Sequence, residues 1–205
     1  MIVMGLTGPS GSGKSSLMKC LEKEGAYCID CDKIVKNLQK PGQLCYCQII
    51  DVFGEEILSK DSAELDRKKL ASIVFSDHSA LVKLNAITHY HVIAHIREIL
   101  SSLEQEAVSL VVIEAGALFE SGLDTLCDKI LYFTAPTDFL VQRIMERDRL
   151  TEEAARMRLS AQYSQKEAVS RSQLVLINDR SLSLLSFFSS LLLKKANEWD
   201  MNKEK

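Results

Sequence analysis

The segment Gly8-Pro-Ser-Gly-Ser-Gly13-Lys14-Ser15 constrains the fold of this chain more than any other stretch. It follows the apolar run Ile2–Thr7 and opens a helical pattern over Lys14–Glu24. A strand that turns through glycines straight into a helix is the setting of a G-x-x-x-x-G-K-[ST] phosphate loop, and the segment matches that pattern in full. Glycines let successive backbone N–H groups turn inward around an anion, and the helix N-terminus adds its positive end. In such a loop Lys14 reaches the β- and γ-phosphates and the Ser15 hydroxyl can ligate Mg²⁺. Gly8, Ser10, Gly11, Ser12, Gly13, Lys14, Ser15 and Ser16 are therefore expected to hold a nucleotide. The bland alternative is a Gly/Ser-rich turn with no ligand, which fits the strand-loop-helix setting poorly.

Four more segments read as strands: Ala26–Cys31, Ser109–Ala115, Lys129–Ala135 and Gln173–Asn178. Most are continuous apolar runs, a pattern of strands covered on both faces in a parallel sheet. Helical patterns over Asp66–Phe75, Ala80–Leu103, Asp138–Arg147, Glu152–Gln162 and Leu182 to about Glu198 separate them. The last places Leu184, Leu185, Phe188, Leu191 and Leu192 on one stripe, with serines on much of the other side. The alternation predicts an α/β fold with right-handed crossovers. The excursion from about Lys36 to Leu103 is too long for one crossover and predicts a substrate-covering subdomain. There is no internal repeat and no low-complexity linker.

Composition narrows the partners. Across 205 residues, 25 Lys and Arg against 28 Asp and Glu give a net charge of −3, so no broadly basic nucleic-acid face is expected. The most apolar stretch, Leu182 to Leu193, is broken by Ser183, Ser186, Ser189 and Ser190, and no run reaches the roughly 18 to 20 residues that span a bilayer. The N-terminus lacks a basic region and its apolar run stops at Gly8, so no signal peptide is expected. The six cysteines then predict free thiols in a reducing, cytoplasmic setting.

Several polar groups compete for chemistry. Asp30 and Asp32 end the second strand, at the sheet edge where open α/β folds bind ligands. A carboxylate there can take a proton from an attacking hydroxyl, or Asp32 can simply cap the next helix. Six of the nine arginines (Arg143, Arg147, Arg149, Arg156, Arg158 and Arg171) lie between 143 and 171, a stretch whose lysine is Lys166 alone. Arg suits bidentate phosphate contact, and Arg143 and Arg147 share one helix face. The competing reading is a solvated face paired with Glu146, Asp148, Glu152 and Glu153. Glu114 and Glu120, at and past the third strand, can hold Mg²⁺ through water or be plain surface acids. Cys28-x-x-Cys31 with Cys45-x-Cys47 departs from zinc spacing, because the second pair has one intervening residue. His91 and His95 are four apart and could share an ion with His89 and Glu98, or be half-buried polar groups on a long helix.

In sequence order, these residues resemble the dephospho-coenzyme A kinase family along nearly the whole chain. Leu6-Thr7-Gly8 with Gly11-Ser12-Gly13-Lys14-Ser15 looks like the family opening, and Ile29-Asp30-Cys31-Asp32 like its I-D-A-D strand end. Pro41-Gly42, Phe53-Gly54, Leu65-Asp66-Arg67, Leu70, Phe75, Leu84-Asn85 and His89 follow at the family spacing. Leu118-Phe119-Glu120 is similar to the end of P-L-L-F-E, Arg143, Arg147-Asp148 and Gln162 to the lid, and Asn178 to the last strand. The chain departs from the family at Lys36 (usually Arg), Tyr90 (Pro), Glu114 (Asp) and Gly116 (Pro).

The resemblance implies a three-layer α/β/α P-loop kinase fold with a five-stranded parallel sheet, a helical CoA subdomain and a helical lid. The core would be about 1–35, 104–138 and 171–205, the substrate subdomain about 36–103 and the lid about 139–170. It implies ATP- and Mg²⁺-dependent phosphorylation of the ribose 3′-hydroxyl of dephospho-CoA, the last step of CoA synthesis. Asp32, Lys14 and Arg143 would be catalytic. Arg143, Arg147 and Asn178 would join the loop in holding ATP, with Ser15 and Glu114 at the metal. Asp32, Lys36, Arg67, His89 and Glu120 would bind the acceptor. The partner is then a small molecule, with no nucleic acid or membrane, and the chain a monomer or weak homo-oligomer. A kinase of the same fold acting on a nucleoside or nucleotide is the nearest alternative, though the long excursion suits the CoA tail better. A GTP switch would carry N-K-x-D, which Asn178-Asp179 lacks.

Overall fold

The computed structural model describes residues 1–178 and 182–203. Five strands form one parallel sheet: β1 (Ile2–Thr7), β2 (Tyr27–Asp30), β3 (Leu110–Glu114), β4 (Lys129–Thr134) and β5 (Leu174–Ile177). The helices among the described residues are α1 (Lys14–Lys23), α2 (Cys31–Leu38), α3 (Leu44–Phe53), α4 (Arg67–Ser76), α5 (His78–Leu103), α6 (Thr137–Asp148), α7 (Glu152–Ser160), α8 (Gln165–Arg171) and α9 (Leu182–Lys203). The fold is α/β, as the strand and helix alternation predicts. Two compact units make it up: Met1–Asp30 with Leu103–Lys205, and Cys31–Ser102.

The first unit holds the sheet, in the order β2-β3-β1-β4-β5. From β1 the chain leaves toward β2 and from β4 toward β5, so the direction of winding switches between β1 and β4. The crevice at the carboxyl ends of those two strands is where such sheets bind ligands. Alternate residues of β1, β3 and β4 (Ile2, Met4, Leu6, Leu110, Val112, Leu131, Phe133) bury one face against Leu17, Met18 and Leu21 of α1 and Leu185, Leu192 and Ala196 of α9. On the other face a side chain at Gly5 would meet Leu118 Cδ2 at 2.8 Å and Cys127 Sγ at 3.0 Å, so a larger residue there would force Leu118 to shift.

Two sequence expectations are corrected. The outer strands are not covered on both faces: Val175 and Ile177 of β5 are exposed, as is Tyr27 of β2, because these strands lie at the sheet edges. The stripe of α9 holds at Leu185, Phe188 and Leu192 but departs at one position. Leu191 is exposed while Ser189 is fully buried, its hydroxyl donating to the Ser186 carbonyl at 2.8 Å. That local bond lets a small polar residue sit against the core without an orphaned hydroxyl.

The second unit has its own core of Cys45, Tyr46, Ile49, Ile57, Leu65, Leu70, Val74 and Ala80. Asp66 caps α4, its carboxylate accepting from the N–H groups of Lys68 and Lys69 at 3.0 and 3.1 Å. Among the described residues no helix is long and apolar enough to cross a membrane.

The cysteines are free thiols. Burial, reinforced by the Glu22 charge, pushes the Cys28 thiol up to about 12. Burial and the charges of Asp124 and Asp128 do the same to Cys127, also to about 12. Only thiolate reacts, so iodoacetamide at pH 8 is expected to label the exposed Cys47 well before Cys28 or Cys127. Peptide mass spectrometry over a labelling time course checks this; early labelling of Cys28 would contradict it.

Candidate active site in the phosphate loop

The loop leaves β1 at Gly8, where φ is 146° and a side chain would run into the carbonyl oxygen of Phe133 in β4. Glycine is therefore required to seat the loop in the β1–β4 crevice. A tight turn follows, closed by the Ser12 N–H donating to the Pro9 carbonyl at 3.2 Å. Gly13 enters α1 with φ 98°, and a side chain there would lie 2.5 Å from Asn178 Nδ2.

Two long-range donors hold the loop from outside. Asn178, just past β5 and buried, donates from Nδ2 to the Ser12 carbonyl at 2.7 Å. Arg143, in the middle of α6, donates from Nη1 to the carbonyls of Gly11 at 2.9 Å and Ser12 at 3.2 Å. In a trans peptide the next N–H points opposite to a carbonyl, so fixing the Ser12 carbonyl turns the Gly13 N–H toward the concave side. The first N–H groups of α1 have no intrahelical partner. The Ser12 hydroxyl is buried with no hydrogen-bond partner among the described residues. These donors, with a lysine beside them, fit a phosphate group.

Lys14 is folded onto its own loop. Its ammonium donates to the carbonyls of Gly8 at 2.8 Å and Pro9 at 3.2 Å, and lies 3.9 Å from Glu114 Oε1. The two charged side chains are only 12% and 14% exposed, so each compensates the other in a poorly hydrated place. Glu114 ends β3, paired in register with Asp30 of β2 and Leu6 of β1. Two carboxylates thus stand on neighbouring strands at the carboxyl edge. The Ser15 and Ser16 side chains lie exposed on the first turn of α1.

The arginine-rich stretch divides. Arg147 donates from Nη2 to Ser10 Oγ at 3.1 Å and grips Asp148 through Nε and Nη2, both at 2.8 Å. Arg158 also reaches Asp148, at 2.7 Å, and these guanidinium groups hold its carboxyl below the usual range. Arg156 pairs with Glu152 and Asp138 on the surface. Arg171 binds Asp124 at 2.6 Å and Tyr163 at 3.1 Å, and stacks over Phe119 at 4.2 Å. The sequence gives no sign of that Phe119–Tyr163–Arg171 cluster, in which Phe119 comes from a distant part of the chain. Glu120, next to it, is exposed.

Arg149 ends α6 in the left-handed conformation, with φ 55° and ψ 39°. Among the described residues it alone is a non-glycine with positive φ. Arg149→Gly is expected to stabilise the fold by about 1 kcal/mol, since glycine carries no Cβ penalty at a helix C-cap. Urea unfolding reads this; a lowered midpoint would contradict the strain argument.

In the second unit, Asp32 is the second residue of α2 and exposed. It lies inside the helix rather than at its N-cap, which removes the capping alternative in its simple form. Lys36, also exposed, is one turn further on the same face. Arg67 opens α4, exposed to solvent. His89, on α5, is half-buried, and that burial pulls its pKa below the ordinary histidine value. His91 Nε2 pairs with Gln48 Oε1 at 2.9 Å and His95 Nδ1 lies 3.6 Å from Glu98. Among the described residues no three His, Cys, Asp or Glu side chains gather around a common ion position.

Comparison with known proteins agrees with this geometry. The family model described as dephospho-CoA kinase matches residues 2–183. The dephospho-CoA kinase of Carboxydothermus hydrogenoformans is 34% identical over 180 residues, which cover 88% of this chain and 87% of that one. A crystal structure from Thermus thermophilus superposes with a TM-score of 0.78 at 30% identity, covering 95% of this chain and 97% of its own. Dephospho-CoA kinase from Campylobacter jejuni superposes with a TM-score of 0.70 at 28% identity, covering 97% and 98%. The chain, with its phosphate loop at the β1–β4 crevice, belongs to the dephospho-CoA kinase family.

Proposed function

We propose that the chain transfers the γ-phosphoryl group of ATP to the ribose 3′-hydroxyl of dephospho-CoA, giving CoA and ADP. The observation that carries this reading is the phosphate loop, its Ser12 carbonyl held by Arg143 and Asn178, in a chain of this family. Gly8, Ser10, Gly11, Ser12, Gly13, Lys14, Ser15 and Ser16 line the phosphate side. Lys14 exchanges its contacts with the Gly8 and Pro9 carbonyls for phosphate oxygens as negative charge arrives. Arg143 and Asn178 act through the loop carbonyls, and Arg147 faces the transferring charge beside Ser10.

Asp32 accepts the proton of the 3′-hydroxyl as that oxygen attacks the γ-phosphorus and the bond to ADP breaks. Lys36, Arg67, His89 and Glu120 hold the acceptor; the depressed pKa of His89 keeps its ring neutral near pH 7. Ser15 and Glu114 are the residues that would hold Mg²⁺, an oxygen-ligand cation that would supply positive charge against the phosphates. The segment 36–103 serves as substrate subdomain and 139–170 as lid, excluding water that would hydrolyse ATP. Free cysteines suit a reducing, cytoplasmic setting, with the chain a monomer or weak homo-oligomer.

Phosphorus NMR of the product from ATP, MgCl₂ and dephospho-CoA tests the reading. A new phosphomonoester on the ribose 3′-oxygen is expected. A phosphate on the pantetheine end, or none, would contradict it.

A further inference from the structure

Ser10 is clasped from two ends of one helical hairpin. Its N–H donates to Gln162 Oε1 at 3.1 Å, and its hydroxyl accepts from Arg147 Nη2 at 3.1 Å. Arg147 lies in the last turn of α6, while Gln162 lies two residues beyond the end of α7. Between them the hairpin is tied internally. Val141, Ile144 and Ala155 are buried together with Met145, Leu150 and Leu159 around them. Asp148 takes both Arg147 and Arg158. Arg147 and Gln162 are thus carried by one internally packed hairpin that meets Ser10 at two points.

The bond also fixes the orientation of the amide group. A backbone N–H needs an acceptor, so Gln162 must present its oxygen to Ser10 and leave its Nε2 donors on the outer side. Gln162 is exposed, and its contact with the loop is this polar bond.

We propose that Gln162 is a positioning residue for the phosphate loop. It holds the Ser10 N–H before nucleotide arrives, and so sets the register between the loop and the Arg147 guanidinium. This rests on the phosphoryl-transfer reading above only for its kinetic consequence; the hydrogen bond itself can be tested without any substrate.

Gln162→Met keeps the length and removes the acceptor, while Gln162→Glu keeps an acceptor. In the nucleotide-free protein, NMR-detected exchange of the Ser10 amide is expected to speed up about tenfold in the Met variant and to stay slow in the Glu variant. With ATP and dephospho-CoA, the Met variant is expected to lose about threefold to tenfold in kcat/KM for ATP, with an unchanged thermal midpoint. Wild-type exchange at Ser10 in Gln162→Met, or equally fast exchange in Gln162→Glu, would overturn the proposal. So would unaltered ATP kinetics in Gln162→Met. A wild-type chain that binds ATP but makes no CoA would instead overturn the functional reading, with the exchange measurement still deciding this one.

Discussion

Asp32→Asn is expected to lower turnover about a hundredfold or more while leaving ATP binding nearly unchanged. Asparagine keeps the shape and one acceptor oxygen but cannot take the proton of the attacking hydroxyl. Magnitudes separate this role from a structural one. Asp32 lies in the first turn of α2, where a negative charge also favours the helix dipole. That effect is worth about 0.3 to 1 kcal/mol and would appear as a small loss of stability. A hundredfold loss of turnover at constant stability corresponds to about 2.7 kcal/mol of transition-state stabilisation, more than a helix-end charge supplies. Steady-state kinetics beside a thermal melt read both quantities. Near-normal turnover, or a loss that follows stability, would contradict the base assignment.

Lys14→Ala is the second large effect. Removing one preorganised donor from a developing anion costs on the order of a hundred- to a thousandfold. Lys14 brings a full charge, held in place by Gly8, Pro9 and Glu114. Its loss should reduce kcat/KM for ATP at least that much. Glu114, 14% exposed, then faces the phosphate side without this cation, which adds repulsion to the lost attraction. Arginine is not expected to rescue, because its planar fork does not fit a site shaped for a compact ammonium. ADP release and ATP titration measure the two parts. Unchanged ADP production with dephospho-CoA would contradict the loop's role in phosphoryl transfer.

What could be read in the sequence was what is local. Gly8 to Ser15 is contiguous, so its backbone demands are visible without the fold. The strands announce themselves as apolar runs; β2, expected over Ala26–Cys31, forms over Tyr27–Asp30. Helix α2 has a helical spacing of apolar residues at Cys31, Ile34, Val35 and Leu38, but it is only eight residues long and follows Asp30 with no turn between, so the strand's pattern runs straight into it. Helix α3, Leu44–Phe53, is a short run of apolar and β-branched residues whose period does not distinguish helix from strand. The contacts that shape the loop were out of reach for another reason. Gln162, Arg143 and Asn178 meet residues 152, 132 and 166 positions away, and only the assembled sheet edge brings them together. Arg143 and Arg147 stood out as one arginine-rich face. That Arg143 holds the Gly11 and Ser12 carbonyls while Arg147 reaches Ser10 and grips Asp148 follows from the position of α6 against Gly11 of the loop.

A coupled ADP-release assay over an acceptor panel tests the central claim most directly. The panel is dephospho-CoA, AMP, CMP, uridine, pantothenate and no acceptor. ADP release is expected to rise steeply with dephospho-CoA and to stay near the no-acceptor level with the others. Equal or faster release with a nucleoside or nucleotide, or with no acceptor at all, would contradict the account.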